Sequence, residues 1–214
     1  LAAAFFAAAA LSPFVIATGW ASAALCFLHV ACLYYVEHRR AHEVNILWSA
    51  YHNVHHSAGH YDQTIGLRIS FVDFFFSPLI YLPLVLAGFH PALVFACFFV
   101  VLAWQQWIHT ELVGKLPLLD PWVNTPSNHR VHHGRNDRYL DRNYGGVLMI
   151  WDRLFSTYAP DTEAVDYGLV EPLASDHSWT VHFHGLGKLG QMLVRAKTPR
   201  AMIRVLFGKP RATA

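Results

Sequence analysis

Eight of the fifteen histidines fall in three tight clusters, His38-Arg-Arg-Ala-His42, His52-Asn-Val-His55-His56 and His129-Arg-Val-His132-His133. On a helix, residues at i, i+3 and i+4 share a face. Each cluster therefore projects two or three imidazoles the same way. Burying so many imidazoles without partners would be costly, so the chemistry this spacing points to is metal binding. A structural zinc takes about four ligands and a catalytic zinc about three. Eight clustered imidazoles exceed either need, and two metal ions fit better. Imidazole suits iron, zinc and copper alike, so the spacing does not name the metal. The ligand form is neutral imidazole, so acid should displace the ion.

Other side chains stand near these boxes. His109 closes an apolar run where the clusters begin, and reads as a further ligand or as an interfacial histidine. Gln105 lies four residues earlier on the same helical face. Glu43 follows His42 directly and is a candidate catalytic carboxylate, as a ligand or as an orienting partner; the alternative is a carboxylate on the helix surface. Asp141, Asn143 and Asp152 could order the loop around the third box, although Asp152 and Arg153 also read as a surface pair. His182 and His184, two apart, have strand-like spacing and are candidate ligands or supporting residues. His29 lies nine residues before His38, about 900° around an ideal helix, and so faces away. His60, His90 and His177 read as loop histidines.

The elements that position these residues are apolar. The chain has 214 residues, suiting one domain, with 54% hydrophobic and only 14% charged residues. Soluble domains carry about 25% charged residues, so the deficit points to a membrane. Apolar runs at 1–11, 14–36, 71–89 and 91–108 are the candidate membrane segments. The second holds 23 residues without a charge, about 34 Å of helix against a hydrocarbon core of about 30 Å. Asp73, Pro78 and Pro83 predict that 71–89 is short, kinked or re-entrant. Leu1 opens an apolar run with no charged region before it, which reads as the end of a membrane helix that begins upstream rather than as a signal peptide. All 16 Lys and Arg lie at 39–68 or 115–211. That segregation places both stretches on the cytoplasmic side, as a cap formed by 38–68 and 109–214. Thr125-Pro126 predicts a helix start and Gly134 a stop around the third box. The segment 161–176 reads as a loop. The basic, apolar stretch 186–207, interrupted near Pro199, reads either as a helix on an anionic membrane surface or as an amphipathic helix packed on the cap. Cys26, Cys32 and Cys97 sit in apolar runs without metal or disulfide spacing. No basic-aromatic stripe suggests nucleic acid.

The stretches YYVEHRRAHEVNILWSAYHNVHHS, WIHTEL and NTPSNHRVHHGRNDRYLDRNYGGVLMIWDRLFSTY resemble the fatty acid hydroxylase and sterol desaturase superfamily. HEVN, WIHTE, NTPS, NYGG, DYGL and VHFHG resemble its alkylglycerol monooxygenase branch, including bacterial members. The resemblance implies an all-α integral membrane protein whose helical hairpins carry a cytosolic cap with a di-iron site. It implies O2-dependent hydroxylation or desaturation of a lipid, with ether cleavage and tetrahydrobiopterin as reductant in that branch. It places the protein in a bacterial inner membrane or an endoplasmic reticulum, and it implies an electron donor. The implied metal ligands are His38, His42, His52, His55, His56, His109, His129, His132 and His133. The chain departs from the family pattern at Ala31, Val36 and Gln105, and in the SAGHYDQT that follows the second box. A bilayer-facing entrance between the helices would admit the acyl chain. The histidines alone also admit a zinc-dependent membrane hydrolase using metal-bound water, or a non-catalytic metal-binding membrane protein.

Overall fold

The computed structural model describes residues 2–210. Among them the fold is helical, with two isolated antiparallel bridges, Val123 to Leu148 and Gly134 to Tyr167, and no longer β-strand. Five elements longer than a single turn precede His109. They are α1 (Ala2–Leu11), α2 (Trp20–Glu43), α3 (45–56), α4 (Phe71–Leu86) and α5 (Pro91–Ile108). The cap adds α6 (Pro126–His132), α7 (Ile150–Leu154), α8 (Ser178–Arg195) and α9 (Pro199–Phe207).

α2 differs from the apolar run that predicts it. The stretch before Trp20 is not helical, because its polar groups go elsewhere: Ser12 Oγ donates to Leu86 O at 2.9 Å and Ile16 N–H to Gly88 O at 2.9 Å. Ser22 Oγ then accepts the Gly19 N–H at 2.9 Å, at the start of the helix. At the other end α2 continues without a break through His38 and His42, so one rigid element carries the first box out of the apolar layer. α2 and α5 are the two described helices long and apolar enough to cross a membrane. α5 starts at Pro91, with His90 Nδ1 accepting the Ala92 N–H at 3.2 Å. Pro78 and Pro83 each open a new helical piece within α4, which passes through a 3-10 turn at Ser77–Tyr81. Missing N–H donors explain the break.

Ala23 O meets Cys97 Sγ at 4.0 Å, and the Tyr34 hydroxyl donates to Gln105 Oε1 at 3.2 Å. Both positions advance together, so α2 and α5 run parallel and bring His38, His42 and His109 to the same end. Their contact is filled by Cys26, Val30, Val94, Cys97 and Val101, with Phe5, Val85 and Phe89 from α1 and the α4 region. All three cysteines are free thiols. The outward faces keep Leu25, Leu28, Phe99 and Val100 exposed, as helices bordered by lipid would.

The C-terminal stretch is two helices broken before Pro199, as the sequence predicts. It also corrects one expectation: His182 and His184 lie on helix α8, not on a strand. α8 buries Val181, Gly185 and Leu189. A Cβ on Gly185 would come within 2.6 Å of Ser49 O on α3, so only glycine allows this approach. α9 is tied to α3 through Asn45, whose N–H donates to Gly208 O and whose Nδ2 donates to Val205 O, each at 2.9 Å.

Candidate metal centre

Three helical elements deliver the boxes. α2 carries His38 and His42. α3 carries His52, the last residue of a π-helical turn at Trp48–His52, and then His55 and His56; such turns recur at functional sites. α6 carries His129 and His132, with His133 at its end. Thr125 stands at the N-cap and Pro126 at the first turn, as expected. The Thr125 hydroxyl donates instead to Asp120 Oδ1 at 2.5 Å and caps no backbone N–H of the helix.

The nine histidines form two groups, each with its ligand nitrogens within 4.8 Å of one another. His38, His42, His52, His56 and His132 make one; His55, His109, His129 and His133 make the other. The boxes therefore do not each serve one ion. Residues at i and i+4 differ by about 40° around a helix, whereas i+3 lies about 60° the other way. Accordingly His38 with His42, His52 with His56 and His129 with His133 stay together. His55 and His132, at i+3, each cross to the other group.

Backbone carbonyls fix the rings. His38 Nδ1 donates to Tyr144 O at 2.8 Å, His132 Nδ1 to Arg142 O at 2.8 Å and His109 Nδ1 to Gln105 O at 2.6 Å. In a neutral ring this leaves Nε2 as a bare lone pair. The Nε2 atoms then converge: His38 to His52 at 3.1 Å, His129 to His109 at 3.0 Å and His109 to His55 at 3.3 Å. The Nε2 atoms of His42, His56, His132 and His133 are buried without any protein partner. Bare lone pairs facing one another repel, and a cation between them satisfies them all, so the residues fit a metal ion in each group. Burial drives His109 down to about 4. Burial first, then neighbouring imidazoles, holds His52, His55, His56, His129, His132 and His133 well below the ordinary histidine value. Neutral, ligand-ready rings are the result.

The loop 139–147 aims those carbonyls. Asp141 and Asn143 adopt left-handed backbone, φ 59° and 57°, a conformation that Asn and Asp tolerate best after Gly. Asn143 is fully buried; its Nδ2 donates to Asn128 O at 3.0 Å and Ala159 O at 2.8 Å. Asp152 is fully buried too, not half of a surface pair with Arg153. Its carboxylate accepts the N–H of Tyr144 at 2.8 Å, the N–H of Gly145 at 2.7 Å and the Thr157 hydroxyl at 2.7 Å. Asp152 thus holds the peptide whose carbonyl holds His38. Gln105 Nε2 donates to Gly146 O, bracing the same loop from α5.

Glu43 belongs to neither group. It is held by Arg39 Nε at 3.0 Å and Arg40 Nη1 at 3.6 Å, on its own helix. His29 bonds Leu25 O at 2.7 Å, and His182 bonds Ser178 O at 3.0 Å; both stand apart from the groups. His184 is half-buried and lines a cavity beside the site. Trp48 and Tyr144, which the spacing did not single out, stand with ring centroids 5.1 and 5.2 Å from His42.

That cavity is about 330 Å³, and His42, His56, His132 and His133 line it, the four histidines whose Nε2 lacks a partner. The space at these histidines is bounded by α8 and the residues that follow α9.

Two long apolar helices and two buried histidine groups are the features that a membrane-bound metal enzyme would need. Residues 23–157 match the fatty acid hydroxylase family model, and the chain belongs to that family. It is 49% identical over 160 residues to an alkylglycerol monooxygenase of Danio rerio, covering 74% of this chain and 35% of that protein. The corresponding human alkylglycerol monooxygenase is 45% identical over 168 residues, 78% of this chain and 36% of the relative. The ornithine lipid hydroxylase OlsE of Rhizobium tropici is 34% identical over 144 residues, 65% of this chain and 43% of the relative. The chain thus spans about a third of the length of the alkylglycerol monooxygenases it matches. No solved structure matches it.

Proposed function

We propose that this chain is the catalytic core of a membrane-bound di-iron monooxygenase that uses O2 to hydroxylate a C–H bond of an ether lipid. The observation that carries the reading is the pair of buried imidazole groups whose Nε2 atoms converge without partners. Iron, rather than zinc, is supported by relatives that are monooxygenases and a hydroxylase. The names of the alkylglycerol relatives support an ether lipid, and the resemblance to that branch implies tetrahydrobiopterin as reductant.

His38, His42, His52, His56 and His132 hold one ion, and His55, His109, His129 and His133 the other. When bound, the two ions supply O2 activation and the oxidising power for the C–H bond. The protein supplies the rest. Carbonyls of Gln105, Arg142 and Tyr144 fix the tautomers and orient the rings. The Trp48 and Tyr144 rings pack beside His42 and shield that side of the first group from water. Glu43, between Arg39 and Arg40, sets local charge rather than binding metal. The cavity beneath α8 receives the part of the lipid that reacts. α2 and α5 cross the bilayer within a multi-pass protein, and the segregated Lys and Arg put the histidines on its cytoplasmic side.

The test is metal content and O2 uptake of protein purified anaerobically in detergent. The expected result is two irons per chain, a coupled di-iron spectrum, and O2 consumption when an alkylglycerol and a reduced pterin are added. Zinc alone, with no O2 uptake after iron reconstitution, would overturn the oxygenase and favour a zinc hydrolase or a non-catalytic metal protein.

A further inference from the structure

The cavity over the histidines carries charge that metal binding does not use. Arg135, Lys188, Arg195 and Lys209 stand on its wall with two carboxylates, Asp141 and Glu171. With the histidines neutral, the wall has an excess of two positive charges. Lys188 pairs with Glu171, and Lys209 Nζ lies 3.8 Å from Asp141 Oδ2. Arg135 is fixed by Asp166 at 2.8 Å. Arg195, at the end of α8, makes no ion pair among the described residues.

The cations are ordered along one helix face. His184, Lys188, Gln191, Met192 and Arg195 all line the cavity, and their spacing of four, three, one and three is that of a single face. Lys188 lies about 6 Å and Arg195 about 16 Å along the axis from His184. At about 330 Å³ the cavity sits at the lower end of ligand pockets, which run from about 300 to 1,000 Å³. It can take a headgroup and the first carbons of a lipid, while a long chain must lie outside.

We propose that this wall is a headgroup subsite that selects a lipid carrying a phosphate or similar anion within a few bonds of the carbon that reacts. The inference rests on the reading of the chain as a lipid oxygenase. A phosphate matches the excess charge. Arg195 offers it a two-pronged donor. Lys188 reaches it by giving up a solvent-exposed ion pair with Glu171, which is worth little. An uncharged glycerol headgroup would leave Arg195 without an anionic partner.

The test compares binding of hexadecylglycerol and its phosphate monoester to the zinc-loaded full chain in detergent, where no turnover occurs. Inorganic phosphate serves as competitor. The phosphate ester should bind at least about tenfold more tightly, the scale of one charge-assisted contact. Arg195→Gln with Lys188→Gln should cut that preference to under about twofold, and Arg195→Lys should keep part of it. Arg195→Glu, a single surface change, should reverse it and stands in if the double variant does not fold. Equal affinities in the wild type, or a preference surviving both Arg195→Glu and the double variant, would overturn the subsite. Inorganic phosphate displacing the ester at equal concentration would make it a free-anion site and also overturn it. Phosphate preference without O2 uptake in the iron form would remove only the oxygenase reading. O2 uptake with equal affinities would remove only the subsite.

Discussion

Replacing Asp152 by Asn changes no atom that meets a histidine, yet it should weaken metal retention. The carboxylate is fully buried and accepts three hydrogen bonds, two from the backbone N–H groups of Tyr144 and Gly145. Oδ1 takes both the Tyr144 N–H and the Thr157 hydroxyl, while Oδ2 takes the Gly145 N–H. An amide keeps one acceptor oxygen and turns an NH2 toward at least one N–H donor. Hydrogen bonds to charged groups are worth about 1.5–3 kcal/mol each, and a buried donor left unpaired costs about 1–3 kcal/mol more. For one such bond their sum is about 2.5–6 kcal/mol. The displaced peptide is the one whose carbonyl holds His38 Nδ1 at 2.8 Å. Losing such an outer support costs about 10–100-fold in metal affinity. The assay is metal per chain after dialysis against graded chelator, with the thermal midpoint measured on the same samples. Asp137→Asn, at an exposed carboxylate, is the control and should change neither. Wild-type midpoint and wild-type metal retention in Asp152→Asn would refute the idea that this carboxylate anchors the site.

The split of the boxes predicts selective loss. His132→Ala and His129→Ala should each remove about one of two metal ions per chain and all oxygenase activity, while His29→Ala should leave metal content unchanged; elemental analysis decides, and near-wild-type turnover in His132→Ala would sink the assignment. Histidines whose folded pKa lies below the unfolded value of about 6.5 give stability that is full above that pH. The metal-free protein should therefore lose stability as pH falls from 6.5 toward about 4, the value to which burial brings His109. The slope is about 1.4 kcal/mol per pH unit for each histidine involved, followed by thermal melts with and without metal. Gly185→Ala should push α8 off α3 and cost about 1–3 kcal/mol, seen as a lower thermal midpoint; an unchanged midpoint would show that α8 shifts freely.

Much of the site was legible in the chain because helical periodicity is local. The three boxes, the break before Pro199 and the helix start at Thr125-Pro126 all follow from spacing within one element. The crossing of His55 and His132 was also latent there, since i+3 and i+4 lie about 100° apart around a helix. Which groups they join was not, because that depends on how α2, α3, α5 and α6 pack. Glu43 next to His42 looked functional by sequence, but a carboxylate on α2 finds Arg39 and Arg40 within one turn and is drawn to them. Asp152 looked like half of a surface pair, and only the folded loop shows it buried against the peptide behind His38. The carbonyls of Gln105, Arg142 and Tyr144 hold three rings, and a carbonyl leaves no trace in residue identity, because every residue has one. Sequence thus determined which histidines cluster and how each helix presents them; the tertiary structure decided which helices share a histidine group and which backbone groups aim the rings.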